Sequence, residues 1–139
     1  MEFIIDIKLN LKFTLENGFE ISETKDFGMA QFCLLKYPIL DLEIWKDRFD
    51  YNAIIAYNEE KYNVIHIANF LNDKEIKYSF FDFGFETREI DAKRFLTQLD
   101  QIIRVEFDKI LEFLFIISPQ KQNDFDRYCE ETNAKLKGW

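Results

Sequence analysis

His66 is the only imidazole in the chain, and acid–base or nucleophilic catalysis built on it would need a Ser, a Cys or a second His placed beside it. The sequence supplies none, and His66, set between Ile65 and Ile67, reads as a structural histidine, at the surface or hydrogen-bonded. Cys33 and Cys129 stand 96 residues apart, which is neither a zinc-ligand spacing nor a disulfide framework. Two reduced thiols in apolar segments are expected. Carboxylates remain. Asp41 and Glu43 project from one side of an alternating stretch, and paired acids can serve hydrolysis or hold a hard cation. The same spacing arises on any solvated strand face. Gly18, Gly28, Gly84 and Gly138 are isolated, so there is no glycine-rich phosphate loop. No catalytic residue, metal or cofactor is expected.

The stronger candidate is a surface. If Leu40, Leu42 and Ile44 face the core, then Asp41, Glu43, Trp45 and Asp47 line the opposite face and set a tryptophan among three acids. Such an arrangement steers a basic protein partner and then anchors it. The competing expectation puts Trp45 beneath a helix and leaves the acids to confer solubility.

Charge supports the first expectation. The net charge is −8, and the first 60 residues hold 12 acidic side chains against 6 basic, while the rest are nearly balanced. That segment is also rich in apolar residues, so the imbalance belongs to a folded face and not to a disordered tail. A pI near 4.7 argues against binding a phosphate backbone. Glu2 and Asp6 stand where a signal peptide needs basic and apolar residues, and the apolar run from 110 to 117 contains Glu112 and is too short to span a bilayer. A cytoplasmic protein with no membrane or nucleic-acid partner is expected.

The elements that must position this face are legible in part. Residues 5–15 alternate as a strand would, yet Phe3, Ile4, Ile7, Leu11 and Leu15 also form a helical stripe. Strands are expected over Ala30–Tyr37, Ile39–Lys46, Asn52–Tyr57 and Lys77–Phe85. Asn63 caps a short helix carrying Val64, Ile67, Ala68 and Leu71 on one face. Asp91 is the expected cap of a long helix with Phe95, Leu99, Ile102, Ile103, Phe107, Ile110, Leu111 and Leu114 at helical spacing. Ser118-Pro119 opens a last helix, cap first and proline second.

Leu11, Phe13, Asn17-Gly18-Phe19, Phe27-Gly28, Tyr37, the Leu40-Leu42-Ile44 strand, Asp47-Arg48, Tyr62 and Phe70-Leu71 together resemble a pattern found in small uncharacterised bacterial proteins, some of them similar to immunity proteins of toxin systems. The resemblance covers about half the chain and carries no catalytic residue. It implies a helix before the Gly-Phe break, and so decides residues 5–15 in favour of helix.

The expected architecture is α+β in a single domain, residues 1–139: an antiparallel sheet of about four strands with an N-terminal helix and two C-terminal helices packed on it. The expected function is a non-enzymatic acidic binding protein, an immunity- or antitoxin-type inhibitor that sequesters a basic toxin. Two other classes stay open: a structural or adaptor protein that homodimerises through exposed aromatics, and a carboxylate-dependent hydrolase using Asp41 and Glu43.

Overall fold

The computed structural model describes residues 2–47, 50–74, 77–80 and 89–136. Helices α1 (Glu2–Asn10) and α2 (Lys12–Glu16) are followed by a five-stranded antiparallel sheet in sequence order: β1 (Glu20–Asp26), β2 (Ala30–Tyr37), β3 (Leu40–Asp47), β4 (Asp50–Tyr57) and β5 (Glu60–Asn63). Helices α3 (Val64–Phe70), α4 (Glu89–Ile116) and α5 (Pro119–Leu136) complete the chain.

Helical spacing prevails over alternation at the N-terminus because only the i, i+4 set finds a core. Phe3, Ile7 and Leu11 are buried, whereas Ile5 and Leu9, which a strand would bury with them, are 51% and 60% exposed. The chain bends at Leu11, but hydrogen bonds from Leu11 N–H to Ile7 O and from Leu15 N–H to Leu11 O carry helical pairing through the bend. No local side chain caps α2. The cap comes from α4, where Asp100 accepts the Phe13 and Thr14 N–H groups at 3.3 and 2.8 Å and the Thr14 hydroxyl at 2.7 Å. Gly18, at φ +98°, then turns the chain, and a Cβ there would lie 3.0 Å from the Tyr37 ring.

Two-residue turns set the register of the meander. Pro38-Ile39 pairs Tyr37 with Leu40, and Asn58-Glu59, at φ 52° and 68°, joins β4 to β5 in the doubly left-handed conformation suited to strand twist. Cys33, Leu35, Leu42, Ile44, Ala53 and Ile55 point to one face and join Ile7, Leu11, Phe95, Leu99, Ile102 and Ile110 in a single apolar cluster. The helices therefore gather on that face. Helix α3 begins at the expected cap, Asn63, whose Oδ1 accepts the His66 N–H at 3.1 Å. Helix α5 begins at Pro119, with the Ser118 Oγ accepting the Lys121 N–H.

The expected α+β architecture holds, an antiparallel sheet with N-terminal helical structure and two C-terminal helices packed on it, and four details differ. The sheet has five strands: β1 was not anticipated because its polar residues show no apolar period, nor was β5, which is only four residues long. Helix α4 starts at Glu89, so Asp91 lies inside its first turn and is not the cap. The N-terminal helix is two. Of the expected strand Lys77–Phe85, residues 81–85 lie outside the described residues, and Lys77–Phe80 are not strand. Side-chain amides take the place of a neighbouring strand there: Asn69 Oδ1 accepts the Lys77 and Tyr78 N–H groups, its Nδ2 donates to Tyr78 O, and Gln98 pairs with both N–H and C=O of Ser79.

Candidate functional site

Alternation along β3 delivers Asp41, Glu43, Trp45 and Asp47 to the face of the sheet opposite the helices, as expected. The register brings their neighbours. Phe32 on β2 stands opposite Trp45, Leu34 opposite Glu43 and Lys36 opposite Asp41, while β4 sets Asn52, Ile54 and Ala56 on the other side. Among the described residues no helix covers this face, so Trp45 is not held beneath one.

Trp45 is half-buried and packs on Phe32 with ring centroids 4.5 Å apart, and Phe32 is buried beneath it. The acids do not form a free row. Glu43 is buried, accepting the Trp45 Nε1–H at 3.3 Å and pairing with Lys61 Nζ at 3.0 Å. Asp41 lies 3.6 Å from Lys36 Nζ, between half-exposed side chains. Asp47 is exposed at the end of β3. The face is thus an aromatic centre, Trp45 on Phe32, flanked by Leu34 and Ile54 and bordered by mixed charges. Glu43 fixes the indole ring: its two oxygens hold the Trp45 N–H and the Lys61 ammonium, so the ring is oriented before any partner arrives.

Sequence reasoning missed Phe32, Leu34, Lys36, Ile54 and Lys61, which reach the face only through pairing. A signal for part of this set is present. A two-residue turn at Pro38-Ile39 makes Tyr37 and Leu40 a pair, and counting outward from it places Phe32 against Trp45 and Lys36 against Asp41.

Elsewhere, polar groups serve the interior. His66 is buried, with Nε2 3.0 Å from Asn133 Oδ1 and the ring edge-on to Phe80. Burial lowers its pKa below 6.5, and the Asn133 hydrogen bond only partly opposes this. Glu106, on α4, accepts hydrogen bonds from Tyr78 Oη (2.6 Å), Asn72 Nδ2 (2.9 Å) and Lys77 Nζ (3.1 Å). Burial would raise its pKa, but those bonds and the Lys77 charge hold it below the ordinary 4.5. The thiols of Cys33 and Cys129 are free. Burial pushes Cys33 up to about 11, and burial with the nearby Asp126 and Glu130 charges pushes Cys129 up to about 12. Among the described residues no three His, Cys, Asp or Glu side chains gather as a metal-binding group, and no helix is long and apolar enough to cross a membrane.

Comparison with family models, with curated proteins and with solved structures yields no match.

Proposed function

We propose that this chain is a non-enzymatic acidic binding protein, an inhibitor of the immunity or antitoxin type that sequesters a basic protein toxin by covering its active site. The observation that carries the reading is the uncovered outer face, where a tryptophan stacked on a buried phenylalanine stands among charges. An aromatic whose ring is already oriented loses little freedom on docking, which is the property of an interface anchor. The net charge of −8 adds long-range attraction toward a basic partner. Within the face, Asp47 is the steering charge, because Asp41 and Glu43 already hold Lys36 and Lys61. Encounter is then accelerated by charge, and residence is set by Trp45.

The test is co-expression with the product of the reading frame next to this chain's own, taken as the candidate toxin, followed by binding kinetics at two salt concentrations. Trp45→Ala raises the dissociation rate by a factor corresponding to about 2 kcal/mol. Asp47→Lys lowers the association rate and its salt dependence. Unchanged rates in both folded variants, with inhibition intact, would exclude this face.

A further inference from the structure

Strand β1 gains little from the fold that contains it. Six of its seven residues are exposed, and β2 is its sole neighbour in the sheet among the described residues. Thr24 and Asp26, in register with Cys33 and Gln31 on the helix-covered side, are exposed as well, so the strand overhangs the helical layer. At the tip of its hairpin Phe27 and Met29 are 61% and 65% exposed. A free edge of this kind offers unpaired backbone groups to another strand.

We propose that β1 pairs antiparallel with β1 of a second copy of this chain, about a two-fold axis through Thr24, joining two five-stranded sheets into one. Phe27 donates its N–H to Ala30 O at 2.8 Å. Alternation then directs the N–H and C=O of Lys25 and Glu23 toward β2, and those of Thr24 and Asp26 toward the free edge. With the axis at Thr24 the two threonines exchange both backbone bonds. Within one chain Lys25 Nζ already lies 3.2 Å from Glu23 Oε1; across the axis Glu23 then stands opposite Lys25 of the second copy and Lys25 opposite its Glu23, so the four half-exposed charges alternate in sign and each gains a second opposite neighbour. Moving the axis to Glu23 or to Lys25 would set like charges against each other. The charges that repel an unrelated edge therefore accept a copy of themselves in one register. The bulge between Ile21 and Glu23 ends the regular segment, so the ladder is short and the association weak, with a dissociation constant on the order of tens of micromolar. The axis is normal to the sheet, so both outer faces point the same way and stay open. The pairing does not depend on the inhibitor reading.

Sedimentation of the full chain without any partner, from about 1 to about 500 µM, tests this. A reversible monomer–dimer equilibrium is expected. Lys25→Glu places carboxylates opposite each other and weakens the dimer by about tenfold. The double exchange E23K/K25E recreates both pairs with signs reversed and the wild-type net charge, and restores the dimer to within a few-fold of wild type. Thr24→Pro deletes an N–H that faces the free edge and yields a monomer with an unchanged circular dichroism spectrum. A wild-type chain that is monomeric throughout the range overturns the proposal. So does a dimer that folded K25E leaves unaltered, or one that the double exchange fails to restore.

Discussion

Replacing Glu106 should separate the contribution of its charge from that of its hydrogen bonds. The carboxylate is 1% exposed and holds the segment after α3 against α4 through Tyr78, Asn72 and Lys77, with Lys109 Nζ 3.7 Å from its second oxygen. Glu106→Ala leaves the buried Tyr78 hydroxyl without an acceptor, at about 1–3 kcal/mol, and opens a cavity worth about 1–2 kcal/mol more. Asn72 keeps its bond to Ala68 O, and half-exposed Lys77 turns to water, so these add less than about 1 kcal/mol. The sum is about 2–6 kcal/mol, a large share of the stability of a domain this size. Glu106→Gln keeps an acceptor at the Oε2 position but loses charge assistance and sets its buried amide donors beside Lys109 where Oε1 has no hydrogen-bond partner, at about 2–3 kcal/mol in all. Urea unfolding at pH 7, followed by circular dichroism and tryptophan fluorescence with unchanged slope, measures both. The glutamate's folded pKa lies below its unfolded value, so its contribution is present above pH 4.5 and fades as pH falls through the folded value. Glu106→Gln should flatten stability against pH in that acid window alone. An alanine variant that loses less than about 1 kcal/mol, or a glutamine variant as costly as alanine, would refute the reasoning.

The remaining expectations follow from single contacts. Asp100→Ala strips the cap of α2 and the Thr14 hydroxyl of its acceptor, and should cost about 2 kcal/mol by the same unfolding measurement; hydrogen exchange should rise at Phe13 and Thr14 first. Buried Cys33 should react with a thiol reagent at native pH only as fast as the chain opens, and half-buried Cys129, its thiolate disfavoured by its raised pKa, should react slowly; rapid native labelling of both would contradict their placement. His66 is held neutral by burial, so the unfolded chain binds the extra proton below pH 6.5 and stability should decline as pH falls from there toward the lowered folded value. His66→Leu should remove that slope.

The parts of the fold legible in the sequence are those where one face is dry and the other wet. Leu40, Leu42 and Ile44 against Asp41, Glu43 and Trp45 identify β3 and its orientation together, and β2 and β4 follow because each buries a row against it. Strand β1 has no dry face, so no period marks it. Residues 77–80 mislead in the opposite sense. Their aromatic pattern is that of a strand, but their backbone is paired by the side chains of Asn69 and Gln98, 8 and 19 residues from their partners Lys77 and Ser79, which no strand period reveals. The cap of α2 is also a side chain from another element, and Asp100 lies 86 residues from Thr14.

The outer face was legible in direction and not in charge. Counting along the chain sees Asp41, Glu43 and Asp47 as a row of three anions, whereas pairing across the sheet introduces Lys36 and Lys61, which neutralise two of them. Which cations meet which anions is decided by turn length, a property of the hairpins and not of composition. The consequence for binding is quantitative. If the face works as proposed, Glu43 contributes by holding the Trp45 indole and not by attracting the partner, so Glu43→Gln should slow association little and instead raise the dissociation rate, as loosening of Trp45 itself would. Asp47→Asn should do the reverse. Equal effects of the two substitutions on the association rate would mean that Glu43 acts as a plain surface charge, and the argument from its pairing with Trp45 and Lys61 would fail.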